Sequence, residues 1–152
     1  MKAILQRVSS AKVVSGGQTL GAIGQGLVVL LGVAAGDGVD EADFLAEKAA
    51  NLRIFGDENG KMNKSLLAIG GGMLVVSNFT LCADVRRGRR PSFTHAAAPA
   101  EAESLYLRFV AAVKDTGASP VETGTFGADM RVSIENDGPV TILLDTDEIM
   151  KK

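Results

Sequence analysis

The sequence contains one cysteine, Cys82, and one histidine, His95. A single thiol excludes an internal disulfide, and one thiol with one imidazole falls short of a zinc ligand set, so neither a structural metal nor a metal cofactor is expected. Long apolar runs are also missing. None approaches the ~20 residues that cross a bilayer, and the opening MKAILQRVSS alternates in polarity instead of forming the apolar centre of a signal peptide. The expected compartment is the cytoplasm, with no membrane partner. A strong charge of one sign is absent too, because 16 Lys and Arg stand against 18 Asp and Glu for a net charge of -2. The molecule as a whole therefore does not announce a polyanion binder. Positive charge is nonetheless concentrated locally, in Arg86, Arg87, Arg89 and Arg90.

What is present suits one globular domain. At 152 residues, with 46% apolar and 22% charged residues, the chain can bury a real core yet is short for two domains. No repeat, low-complexity tract or linker interrupts it, so residues 1–152 are taken as a single domain. KAILQRV and AKVVS carry β-branched residues, Gly16-Gly17 marks a turn, QTLGAIG continues, and GLVVLLGV is apolar throughout, as a buried central strand would be. After Gly36-Asp37-Gly38, Asp40 is placed to cap a helix over about 40–53 with Leu45, Ala49 and Leu52 on its inner side. MLVVSNFTL begins as a buried strand and turns polar. Pro99, Glu101 and the stripe Ala102, Leu105, Phe109, Val113, with Gly117 beyond, define a second helix. MRVSIEN and PVTILLD read as two strands joined through Asn136-Asp137-Gly138. The order β-β-(β-α)2-β-β-β predicts a mixed α/β domain, with barrel- or sandwich-like β layers and two main helices packed on one side.

The usual catalytic constellations are missing. His95 lies in a small-residue loop and no nucleophile-elbow pattern accompanies it. Cys82 has no evident base beside it and reads as a small buried hydrophobe. Asp43 with Glu47, and Glu101 with Glu103, sit in helical patterns as solvent-facing residues. Gly60-Lys61 is not a phosphate loop, since that motif needs four residues between its glycines and Ser or Thr after the lysine, whereas Gly56 and Gly60 are separated by three and Met62 follows. An enzyme built on this chain works without conventional acid-base side chains.

Two polar segments at strand ends remain, Ser77-Asn78-Phe79-Thr80-Leu81 and Asn136-Asp137-Gly138-Pro139-Val140-Thr141. Both resemble the signature motifs of the D-aminoacyl-tRNA deacylases. The likeness continues through Gln6-Arg7-Val8, Leu52-Arg53-Ile54-Phe55, Gly60-Lys61-Met62-Asn63, Gly88-Arg89-Arg90-Pro91-Ser92-Phe93 and Phe126-Gly127-Ala128-Asp129-Met130, so it spans essentially the whole chain.

The resemblance implies a cofactor-independent homodimer that hydrolyses the ester of D-aminoacyl-tRNA. Each Gly138-Pro139 would then reach into the partner's pocket as a chirality filter, with its peptide bond cis although only ~5–6% of X-Pro bonds are. It also implies that Arg7 braces that segment, that Met130 and Phe79 line the pocket, and that Asn136 and Thr141 flank the filter. Ser77, Asn78, Phe79 and Thr80 become the catalytic segment, in which backbone N–H groups near Phe79 and Thr80 hold the oxyanion while water attacks. Thr80 as a covalent nucleophile would need a base that the sequence does not name. The arginines at 86, 87, 89 and 90 are expected to meet tRNA phosphates. The chain departs from the family pattern at Asn78, where glutamine is usual, and at Cys82, where tyrosine is frequent. Those departures keep open a tRNA-binding module with weak catalysis, and Thr80 alone keeps open a threonine-dependent hydrolase of small esters or peptides.

Overall fold

A computed structural model describes residues 1–150. The elements run β1 (Lys2–Ser15), β2 (Gln18–Ile23), β3 (Gly26–Gly32), α1 (Val39–Asn51), β4 (Phe55–Gly56), β5 (Met62–Lys64), α2 (Leu66–Ile69), β6 (Gly72–Ser77), a 3-10 turn (Phe79–Cys82), α3 (Pro99–Asp115), β7 (Val121–Thr123), β8 (Arg131–Asp145) and α4 (Thr146–Ile149). The expected mixed α/β domain is present, with α1 and α3 as its long helices. The tail supplies two strands rather than three, and β4, β5, α2 and α4 are short additions.

β1 organises the sheet. Its first half pairs antiparallel with β3, from Lys2 opposite Gly32 to Val8 opposite Gly26, and its second half pairs with β2. Along its other edge lies β8, from Lys2 opposite Asp145 to Val14 opposite Arg131. β3, β6 and β7 run parallel, as crossover connections through helices dictate. β7 returns beside β2. A Cβ on Gly21 would stand 2.8 Å from the Thr123 carbonyl oxygen, so glycine permits this approach and the sheet nearly closes into a barrel.

The alternation of a strand divides the core in two. Leu27, Val29 and Leu31 of β3 and Met73 and Val75 of β6 face the helices, while Val28, Leu74 and Val76 face the curled sheet with Val8, Ala11 and Val13 of β1. Burial on both faces explains the uninterrupted apolar run of β3. In β1 the inward set changes from Ala3 and Leu5 to Val8, Ala11 and Val13. The switch follows irregular pairing around Val8, because one extra residue in a strand transfers the following side chains to the opposite face.

Two expectations need correction. The α1 cap is Gly38 and not Asp40: Glu41 Oε2 accepts from Gly38 N–H at 2.8 Å, and Asp40 already lies in the first turn. KAILQRV and AKVVS form the single strand β1, so β1 and β2 are the two strands expected before the first strand–helix unit. MRVSIEN and PVTILLD also form one strand and not a hairpin, because both halves find the same partner in the long β1. The two long helices are joined at the surface by Arg108, whose Nε and one NH2 each donate to Asp43 at 2.7 Å. No helix among the described residues is long and apolar enough to cross a membrane.

Candidate functional site

Parallel β3 and β6 end side by side, with Leu31 opposite Ser77, and the crevice beyond the carboxyl ends of such strands is a natural binding place. Here the chain leaves β6 through Asn78, whose N–H donates to Leu31 O at 2.8 Å, and turns into the 3-10 segment. Asn78 Oδ1 accepts from Thr80 N–H at 3.2 Å and also from the Thr80 hydroxyl. The shortened amide thus makes the local side-chain turn that asparagine favours.

Beside this turn opens a cleft of about 580 Å³, walled by Leu31, Val33, Ser77, Phe79, Phe93, Thr94, Ala96, Ala97, Ala98, Pro99, Ala102, Tyr106, Phe126 and Gly127. Phe79 is 56% exposed and meets Phe93 edge to face, with ring centroids 4.9 Å apart. Tyr106 forms part of the buried floor and donates to Val75 O at 2.9 Å; burial pushes its hydroxyl up to about 12. Small alanines from 96 to 98 leave room that larger side chains would fill. Size and apolar lining suit a flat aromatic group flanked by a few polar ones.

The turn presents two successive backbone donors. Phe79 N–H donates to no acceptor among the described residues, whereas Thr80 N–H is engaged by Asn78. One backbone donor of the turn is therefore open, and the next is occupied by a side-chain acceptor that an incoming carbonyl could replace. The Thr80 hydroxyl faces an amide oxygen, too weak a base to activate it. Cys82 is buried with Sγ 3.5 Å from Val33 O, and burial raises its thiol further, in keeping with an inert core residue.

Gly138-Pro139 occupies a different place. Gln6 pairs with Thr141 and Val8 with Asn136, so Arg7 alone stands opposite the four residues Asp137–Val140, which leave the sheet line as an excursion. Gly138 takes φ +122°, and a Cβ there would stand 2.8 Å from an Arg7 guanidinium nitrogen. Arg7 holds the excursion: Nε donates to Asp137 O at 3.2 Å and lies 3.3 Å from Asp137 Oδ2, while NH1 donates to Ile54 O at 2.9 Å. Asn136 Nδ2 donates to Arg7 O and Val140 O at 2.9 and 3.0 Å, tying the base of the excursion. Thr141 Oγ1 donates to Asn136 Oδ1 at 3.4 Å. The Gly138-Pro139 bond is cis, as is Ser119-Pro120.

Within one chain these two groups of residues stay apart. The cleft wall contains Ser77 and Phe79 and none of Arg7, Met130, Asn136, Gly138, Pro139 or Thr141. Met130 borders another hollow, with Val14, Ser15, Gly16, Gly17, Asp129 and Arg131, and its sulfur occupies the space that a Cβ on Gly124 would take.

The basic loop lies next to the cleft wall. Asp84 and Ser92 exchange backbone hydrogen bonds of 2.7 and 2.8 Å at its neck. Arg86 folds back onto Asp84, with Nε and NH2 donating to Oδ1 and Oδ2 at 2.9 and 2.7 Å. Together with the bond from Arg86 N–H, this holds the Asp84 carboxyl well below the usual carboxylate range. Arg87, Arg89 and Arg90 make no ion pair among the described residues. One of the four expected phosphate contacts is thus already neutralised within the chain. Among the described residues no group of three or more His, Cys, Asp or Glu side chains is placed to hold a metal.

Sequence reasoning missed Phe93, Tyr106, Phe126 and the alanine run as cleft walls. The aromatic-rich blocks around 93 and 126 were a signal of position, but contacts made by small residues before a helix carry no periodicity that could be read in advance.

A family model described as D-Tyr-tRNA(Tyr) deacylase matches residues 4–145. A D-aminoacyl-tRNA deacylase of Roseiflexus sp. (strain RS-1) is 59% identical over 146 residues, covering 96% of this chain and 94% of its own length. Another, from Thermus aquaticus, is 55% identical over 148 residues and 97% of each chain. Among solved structures, one described as c-Myc DNA Unwinding Element Binding Protein superposes with a TM-score of 0.90 at 42% identity, over 95% of this chain and 98% of that one. A second, described as a probable eukaryotic D-amino acid tRNA deacylase, gives 0.79 at 17% identity over 94% and 97%. That last likeness speaks to the fold alone.

Proposed function

The chain belongs to the D-Tyr-tRNA(Tyr) deacylase family, and from that premise we propose that it hydrolyses the ester linking a D-amino acid to tRNA, in a site completed by a second copy of itself. The observation that carries this reading is the separation of two built parts. One is a cleft beside the open Phe79 N–H; the other is a braced Gly138-Pro139 excursion that leaves the sheet line and does not line that cleft. A homodimer that seats each excursion in the partner's cleft unites them.

The terminal adenosine of tRNA suits the aromatic wall, since a base stacks on such side chains whatever its sequence context. The ester carbonyl then approaches the turn, where Phe79 N–H donates to the oxygen as it gains charge and Thr80 N–H can exchange its Asn78 partner for it. Water attacks the acyl carbon, assisted by the neighbouring ribose 2′-hydroxyl. The bond from acyl carbon to ribose oxygen breaks, that oxygen takes a proton, and free amino acid leaves with uncharged tRNA. Thr80 contributes its backbone and not its hydroxyl.

Selection against L-amino acids falls to the excursion. Main-chain carbonyls are acceptors that can hold the substrate's α-ammonium, and a fixed ammonium together with a fixed ester leaves only two directions for the α-hydrogen and side chain. In the L-enantiomer the side chain points at the wall. Rejection by collision suits an enzyme surrounded by correctly charged tRNA. Glycine has nothing to collide, so glycyl-tRNA is a leakage substrate.

Single-turnover deacylation of D-tyrosyl-, L-tyrosyl- and glycyl-tRNA tests this reading. Release from the D and glycyl forms with a stable L form is expected. Absence of turnover on the D form would leave a tRNA-binding module, the reading that Asn78 in place of glutamine motivates. Sedimentation as a monomer under the same conditions would overturn the composite site.

A further inference from the structure

One acidic residue stands where basic ones are wanted. Asp84 lies at the neck of the arginine loop, and its carboxylate engages Arg86 three times: Oδ1 accepts from the backbone N–H at 3.0 Å and from Nε at 2.9 Å, and Oδ2 accepts from NH2 at 2.7 Å. His95 Nε2 stands 3.6 Å from the same Oδ2. The backbone of Asp84 is also fixed, through its two bonds with Ser92. Beyond the neck, Phe93 rests against Phe79 at the turn, and the Ser92 and Thr94 hydroxyls lie 3.3 Å apart. The Asp84 carboxylate, beside the two backbone bonds with Ser92, therefore connects Arg86 of the basic loop to the segment that forms the cleft wall.

Resting on the tRNA reading above, we propose that Asp84 is a positioning residue for the RNA-borne part of the substrate. By folding Arg86 back onto the loop's neck, its carboxylate sets the direction in which Arg87, Arg89 and Arg90 are presented relative to the Phe93 wall. A free loop with four mobile arginines would carry more positive charge but would have to be ordered at each binding event, and ordering a long side chain costs free energy. Asp84 gives up one positive charge to fix the remaining three.

This account and a purely electrostatic one predict opposite signs. Neutralising a carboxylate beside a phosphate-binding loop should tighten tRNA binding if only charge matters. If Asp84 positions the loop, Asp84→Asn should weaken binding instead. The informative comparison uses D-tyrosyl-tRNA against D-tyrosyl-adenosine, which lacks the acceptor-stem phosphates. For Asp84→Asn we expect KM for the tRNA substrate to rise about three- to tenfold, kcat to stay within about twofold, and both constants for the adenosine ester to stay near those of the unaltered protein. Asp84→Glu should restore part of the KM.

Arg86→Ala supplies a second measurement that does not alter the neck. The double variant should be no worse than either single one, since both remove the same contact. A lower tRNA KM in Asp84→Asn would overturn the inference, as would an equal loss on both substrates, which would mark Asp84 as merely structural. Additive losses in the double variant would overturn it too. If the unaltered protein turns over neither substrate, the reading beneath the inference fails, and the inference falls with it.

Discussion

Replacing Arg7 by lysine tests whether the proposed filter works because it is held. The side chain is 15% exposed and lies against one ionic and two carbonyl partners: Asp137 Oδ2 at 3.3 Å, Asp137 O at 3.2 Å and Ile54 O at 2.9 Å. A guanidinium reaches them from separate nitrogens of one rigid plane, whereas an ammonium is a point donor that cannot span positions on both the excursion and the strand-edge loop. Arg7→Lys therefore keeps the charge and loses at least one charge-assisted hydrogen bond, worth ~1.5–3 kcal/mol. At ~1.4 kcal/mol per factor of ten, yielding of the excursion by that amount relaxes rejection of the L-enantiomer roughly 10- to 150-fold. The assay is the ratio of kcat/KM for D-tyrosyl- and L-tyrosyl-tRNA, with thermal unfolding in parallel. A fall of about 2–4 °C per kcal/mol is expected for a domain of this size. Should Tm fall while the D/L ratio stays within about twofold, the brace would be structural and the steric account of selectivity would be wrong.

Other perturbations follow from the same geometry. Thr80→Ala should retain most turnover, since only its N–H is assigned to the oxyanion; loss of activity beyond about a thousandfold, measured by single-turnover release, would restore the hydroxyl as nucleophile. Asn78→Gln should change kcat by no more than a few fold if the amide mainly braces the turn, and a large gain would show that the shorter side chain limits contact with substrate or water. Neutralising Arg87 and Arg89 together should weaken tRNA binding and lower the slope of log K against log salt by about two, one unit per phosphate contact. Tyr106 is the only tyrosine and no tryptophan is present, so phenolate absorbance reports this residue alone. Its ionisation should be centred near 12 rather than 10, and a midpoint at 10 would contradict its burial. Because the folded value is raised, the stability it contributes is complete below the unfolded value of about 10 and is lost as pH climbs through 12.

Much of this was legible in advance, for reasons specific to each element. α3 announced itself through Pro99 at its start, its apolar stripe and Gly117 at its end, all local signals that tertiary packing had no cause to override. β3 was legible because burial on both faces leaves an unbroken apolar run. The tail was misread because Asn-Asp-Gly has the chemistry of a hairpin turn. Whether two runs fold on each other or share a third strand depends on the length of β1, which no local window contains. The Ser77–Thr80 segment was singled out through resemblance, and its geometry then supplied what the resemblance lacked: an unengaged Phe79 N–H, an occupied Thr80 N–H and a hydroxyl with no base. The Arg86–Asp84 pairing was hidden because the cluster was read as a sum of charges, although the acid that offsets it lies two residues away.

The pairing of β1 with β8 also orders events in time. Arg7 emerges early during synthesis, while Asp137, to which it donates, lies 130 residues further along. Closing so long a loop is slow, and non-local strands pair late. The β1–β3 ladder, α1, β6 and α3 can all assemble before the last strand exists, so a nascent chain can possess the cleft while still lacking the segment proposed to judge handedness. On the proposed reading, discrimination is a property that the chain gains only with its last strand, and loss of that strand would remove it.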